Sequence, residues 1–177
     1  GTQENEWINQ QKQSESGPGV VQIGEGEHYS TKDDKQSPIC DYSKYSASQT
    51  IYTAAEIGVE EGTIKAIAYN LQTAYNHTRN ISVYLKNTER TEAYSAWESL
   101  TEDLCVYSGS YTFATEGWNI ISFQNEFAYT GGNLLVVVVD NTGAYTDDGY
   151  IDYFNQYLTG AYQSVEDIRS IYKGSGY

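Results

Sequence analysis

Asn133-Leu134-Leu135-Val136-Val137-Val138-Val139-Asp140 is the stretch on which the fold turns. Gly131-Gly132 precedes it and Asn141-Thr142-Gly143 follows it, so an unbroken aliphatic run stands between two groups of turn formers. A β-branched run of this length, bounded in this way, reads as a central strand buried on both faces. A two-layer sheet protein buries such a strand, and its function then resides in loops or on one sheet face.

Strand signals recur on either side of the run. In residues 79–86, Ile81, Val83 and Leu85 alternate with Ser82, Tyr84 and Lys86, the period of two expected when one face packs inward and the other meets water. Residues 63–71 read as a long strand, Gln49-Thr50-Ile51-Tyr52 as a shorter one, and residues 118–127 as another. Leu104-Cys105-Val106-Tyr107 reads as a strand ended by Ser108-Gly109-Ser110, and Val20-Val21-Gln22-Ile23 as a short first strand. Thr53 followed by Glu56 matches a capping box and marks one helical turn. Ile151, Phe154, Tyr157 and Leu158 recur at helical spacing, but a sandwich must cover its edge, so strand and loop are expected there. Residues 168–172 read as a closing strand. With no long amphipathic helix between the strands, the pattern predicts an all-β fold: an antiparallel β-sandwich of jelly-roll type, two packed sheets with long loops. Residues 1–19 read as a flexible N-terminal linker and residues 20–177 as the sandwich domain.

The 177 residues suffice for one domain with a substantial core. Ten basic residues against 24 acidic ones give a net charge of −14, a field that repels nucleic acid phosphates and anionic membrane surfaces. No segment approaches the roughly 18 apolar residues of a membrane span. The absence of methionine and the opening Gly1-Thr2-Gln3 read as a piece of a longer precursor, so other domains of that precursor are expected partners. Cys40 and Cys105 either pair or stand as two isolated thiols.

Catalysis finds little support in the residue types. His28 and His77 are the only imidazoles, and neither stands in a G-x-S-x-G or H-E-x-x-H context. The acidic neighbours Asp33-Asp34, Glu60-Glu61 and Asp147-Asp148 would point to opposite faces of a strand and so form no glycosidase pair. No enzymatic activity and no organic cofactor are therefore expected. Asp140, Asp147 and Asp148 offer oxygen ligands for a structural calcium ion, although the spacing is not that of an EF-hand loop. The competing reading makes this a polar turn in which Asp140 accepts local backbone hydrogen bonds.

The 18 tyrosines supply flat apolar rings with a hydroxyl at the rim, suited to stacking on a sugar or to sealing a protein contact. The long segment 27–48 brings Tyr29, Tyr42 and Tyr45 near Asp33 and Asp34, and a second group contains Tyr145 and Tyr150. Long connections of this kind are uncommon without a function. These residues are the predicted ligand contacts.

Ser48-Gln49-Thr50-Ile51-Tyr52-Thr53-Ala54-Ala55-Glu56-Ile57-Gly58, Gly62-Thr63-Ile64, Arg79-Asn80-Ile81-Ser82-Val83-Tyr84-Leu85, Thr115-Glu116-Gly117-Trp118 and the central run together resemble extracellular adhesin-like modules of Bacteroidetes surface proteins, of galactose-binding-like jelly-roll type. The resemblance spans residues 20–172 and rests on scaffold residues. It implies an exported module, extracellular or at the cell surface, attached to a larger protein and binding a glycan or a surface protein. The expected function is thus noncatalytic carbohydrate binding; the alternative is a protein-protein adhesion or structural spacer module.

Overall fold

The computed structural model describes residues 19–23, 38–39, 44–71, 76–93, 96–144, 158–160 and 170–175. Eight strands order the described chain: β1 (Tyr45–Tyr52), β2 (Gly62–Leu71), β3 (His77–Thr88), β4 (Cys105–Phe113), β5 (Gly117–Tyr129), β6 (Asn133–Asp140), β7 (Leu158–Gly160) and β8 (Ser170–Ser175). They form a five-stranded sheet in the order β4-β3-β6-β1-β8 and a three-stranded sheet in the order β5-β2-β7. Every strand pairing is antiparallel. The two sheets pack face to face as a β-sandwich, sharing a core that includes Ile81, Val83, Leu85, Leu134, Val136 and Val138 from one sheet and Tyr69, Leu71, Ile121 and Tyr129 from the other.

β6 lies in the middle of its sheet, flanked by β3 and β1. Its alternate residues Leu134, Val136 and Val138 enter the inter-sheet core, while Leu135 and Val137 join a second cluster with Ile51 and Ala93 on the opposite face. The unbroken run therefore has a direct cause: a strand covered on both faces has no position that favours a polar side chain. The alternation expected in β3 is also present, with Ile81, Val83 and Leu85 at most 1% exposed.

Residues 89–93 and 96–100, which belong to no helix or strand, cover the outer face. The fully buried Gln49 holds them, its Nε2 donating to the carbonyls of Ala93 and Ala96 at 2.8 and 2.9 Å while its Oε1 accepts from Glu98 N at 2.8 Å. Arg90 adds bonds to the Ala96 carbonyl and to Glu98, both at 2.9 Å, and Lys86 pairs with the same carboxylate.

The capping box forms as expected around a one-turn helix, Ala54–Ile57: Thr53 Oγ1 accepts from Glu56 N at 3.2 Å, and Glu56 Oε1 accepts from Thr53 N at 2.9 Å. Three local readings are corrected. Residues 45–48 belong to β1, because a ladder with β8 from Tyr45 onward and one with β6 from Ser46 onward pair their backbone. Ser108-Gly109-Ser110 continues β4 in register with β3; Gly109 has φ 150°, a backbone conformation that favours glycine, and the Tyr107 hydroxyl donates to the Ser110 carbonyl at 2.8 Å. Residues 20–23 join neither sheet, although Ile23 packs against the core. The closing strand expected over residues 168–172 is found as β8, Ser170–Ser175. Of the linker expected over residues 1–19, residues 1–18 lie outside the described residues.

Candidate functional site

The strand register brings two of the sequence-predicted regions to one end of the sandwich. β1 begins and β6 ends there, with Ser46 opposite Asp140 in the ladder. The chain entering β1 and the chain leaving β6 are therefore neighbours. They are also bonded, since Gly143 N donates to the Lys44 carbonyl at 2.8 Å. Tyr45 stands at this rim with 48% of its surface exposed. Gly143 has φ 77°, and a Cβ there would come within 3.2 Å of the Tyr45 hydroxyl, so a glycine suits both the backbone turn and the close approach of the ring.

Beneath the rim lies a buried ion pair. Arg79 and Asp140 have fully buried side chains, and Arg79 Nε donates to Asp140 Oδ2 at 2.6 Å. Arg79 Nη1 donates to the Ala144 carbonyl at 2.8 Å, and Asp140 Oδ1 accepts from Thr142 N at 2.9 Å and from the Thr142 hydroxyl. Thr142 Oγ1 in turn accepts from Asn80 N at 2.9 Å. These bonds fix the path of residues 141–144, so the rim beside Tyr45 is held by side chains rooted in β3 and β6. A charge pair excluded from water persists only when its remaining hydrogen-bonding capacity is also used, as it is here.

Tyr45 and Asp140 are the sequence-predicted site residues that the structure describes, and it places them one residue apart across the β1–β6 ladder. Asp140 makes the local backbone hydrogen bond of the polar-turn reading, and both its oxygens are engaged by protein groups. Tyr29, Asp33, Asp34, Tyr42, Tyr145 and Tyr150 lie outside the described residues, as do Asp147 and Asp148 of the proposed calcium set. Among the described residues no cluster of three or more metal-ligating side chains occurs. Cys105 carries a free thiol that donates to the Tyr107 carbonyl at 3.3 Å, while Cys40 is outside the described residues.

Arg79 was not legible as a site residue from motif spacing, yet a signal was present: it is in phase with Ile81, Val83 and Leu85, on the face that turns inward. A charged residue at such a position needs a buried partner, and an acid that closes an aliphatic strand is a suitable one. Tyr69 serves the core: burial raises its hydroxyl well above the usual phenol range, which keeps it neutral.

Among the described residues no helix is long and apolar enough to cross a membrane. Comparison of the chain with protein-family models, curated proteins and solved structures finds no match. Of the resemblance drawn from the sequence, the two-sheet sandwich is what the structure shows; no homologue supports the particular family or taxon.

Proposed function

We propose that the chain is a noncatalytic carbohydrate-binding module of a secreted or cell-surface protein, with its site at the end of the sandwich marked by Tyr45 and Asp140. The observation that carries this reading is the half-exposed Tyr45 ring on a rim fixed from below by the Arg79–Asp140 pair. A flat aromatic face offers an apolar platform for a pyranose ring, and polar groups around it orient the hydroxyls. A rigid support lowers the entropic cost of binding. In the sequence, Tyr42 stands three residues before Tyr45 and Tyr145 two residues after Gly143.

The test is a glycan array probed with the whole chain and with Tyr45→Ala. Retention of a defined sugar, weakened about tenfold or more by the substitution, equivalent to about 1.4 kcal/mol, supports the reading. Silence across a broad array, or binding indifferent to Tyr45, overturns it and favours the adhesion or spacer alternative.

A further inference from the structure

Among the described residues the exposed aromatic side chains are Tyr45 and Trp97, the latter with 41% of its surface open. Both belong to the outer side of the five-stranded sheet. Tyr45 lies four residues before Gln49 on β1 and so turns to the same side, and the cross-strand partner of Gln49, Val137, belongs to the outer cluster. Trp97 stands over Gln49. On one side of it the Ala96 carbonyl accepts from Gln49 Nε2 and from Arg90 Nη2, each at 2.9 Å; on the other, Glu98 N donates to Gln49 Oε1 at 2.8 Å. An exposed indole is thus mounted on backbone fixed at both neighbours, as Tyr45 follows the Lys44 carbonyl held by Gly143 N.

The strand register shows what lies between the two rings. The outer cover packs on Ile51, Leu135 and Val137. The next row across β1, β6 and β3 is Ala47, Val139 and Ser82, half-buried, short and uncharged. Ala47 is the β1 residue between Tyr45 and Gln49 on this face, so no long side chain of β1 rises between them. Four residues of strand set the two about 13 Å apart, farther than one pyranose ring reaches. Charge narrows the choice of occupant. Glu98, the acid beside Trp97, is paired with both Lys86 and Arg90, so a cationic partner meets no unpaired carboxylate in it. An anionic partner is repelled by the chain's net charge of −14.

We propose that this outer face binds a linear, neutral polysaccharide joined through equatorial links, of the β-1,4-glucan, mannan or xylan kind, laid along β1 from Tyr45 to Trp97. Equatorial links keep such a chain extended and flat, with ring faces available to the two aromatics and hydroxyls at its edges. The row of Ala47, Val139 and Ser82 floors the units between. A short sugar engages one ring only. A longer chain engages both, and the second contact is then intramolecular. This inference rests on the sugar-binding reading and extends it from one ring at the rim to a chain across the outer face.

The experiment titrates the whole chain calorimetrically with β-1,4-linked gluco-, manno- and xylo-oligosaccharides of increasing length, from disaccharide to hexasaccharide. One of the three series is expected to bind, with affinity rising about tenfold or more from the shortest to the longest. Trp97→Ala, and Ala47→Arg, which sets a long side chain between the rings, should each remove that rise and leave the disaccharide affinity within about twofold. Tyr45→Ala should weaken every length. Affinity that is flat with length, a rise that survives both Trp97→Ala and Ala47→Arg, or a loss equal at all lengths in those variants overturns the extended site and leaves the Tyr45 reading standing. So does capture of another sugar on the glycan array through Tyr45 while all three series fail. Silence in the titrations and across the array overturns both. Should Trp97→Ala fail to fold, the length series on the wild type and Ala47→Arg still decides.

Discussion

On the inner face of the five-stranded sheet, Leu134, Val136 and Val138 of β6 meet side chains from a second sheet; on the outer face, Leu135 and Val137 of the same strand meet Ala93, Leu100 and Tyr84. The inner cover is a regular sheet and the core it shares is mostly apolar, while the covered sheet itself carries the buried Arg79–Asp140 pair. The outer cover that the structure describes, residues 89–93 and 96–100, is irregular and is tied down by polar groups: Gln49, Arg90, Lys86, and Asn133, whose Nδ2 donates to the Arg90 carbonyl at 2.9 Å. The contrast separates two ways of burying a strand. A sheet brings its own backbone ladder and supports itself. An irregular segment leaves backbone groups unpaired, so the surface it covers must supply their partners. Gln49 does this with one side chain that serves three backbone groups.

The contrast can be broken or sharpened by substitution, measured as urea unfolding. Asp140→Ala strands a buried guanidinium and is expected to cost about 3–5 kcal/mol, the largest effect in the molecule; a cost below about 1 kcal/mol would show that water reaches the pair. Leu85→Ala on the inner face should cost about 3–4 kcal/mol and Leu135→Ala on the outer face about 2 kcal/mol, since an irregular cover can settle into the space left behind. Equal costs would mean that the outer cover is as rigid as a sheet. Gln49→Ala should cost about 2 kcal/mol by leaving buried backbone groups unpaired, and hydrogen exchange should quicken in residues 96–100 while β6 amides stay protected.

The smallest effect concerns Glu98. The hydrogen bond from Lys86, and after it that from Arg90, holds its carboxyl below the ordinary value of 4.5, against the opposing pull of burial. A carboxyl whose value is lowered on folding contributes stability that is fully present above its unfolded value and lost as pH falls through its folded one. Protection of residues 96–100, measured against the intrinsic exchange rate at each pH, should therefore fall as pH drops from about 4.5 downward, with the inner core unaffected over the first part of that fall. Glu98→Gln should remove most of this pH dependence and cost about 1 kcal/mol or less at neutral pH.

Several elements were legible before any coordinates. The aliphatic run of β6, the alternation of β3 and the capping box at Thr53 and Glu56 are local patterns, and each forms where its residues predict. Tyr45-Ser46-Ala47-Ser48 belongs by composition to the long connection 27–48; it is strand because β6 and β8 lie on either side. Ser108-Gly109-Ser110 misled in the same way, turn-forming in composition but held straight by pairing with β3. Val20-Val21-Gln22-Ile23 erred in the opposite direction, having strand composition without a ladder. Of the candidate site, Tyr45 and Asp140 were chosen for their chemistry, but their adjacency depends on register, and Arg79 entered only when its partner was visible.

The sequence by itself determined that residues 134–139 form a strand apolar on both sides, because a period-two backbone exposes any polar position on an uncovered face. It also determined that one face of β3 packs inward. Only the tertiary structure decided what covers β6 on each side, that side chains of β5 stitch the edge of β4, and that the start of β1 and the end of β6 share a rim. The reason is physical: burial leaves a local imprint in residue type, whereas the choice of partner depends on segments far apart along the chain, many of whose pairings satisfy the same imprint.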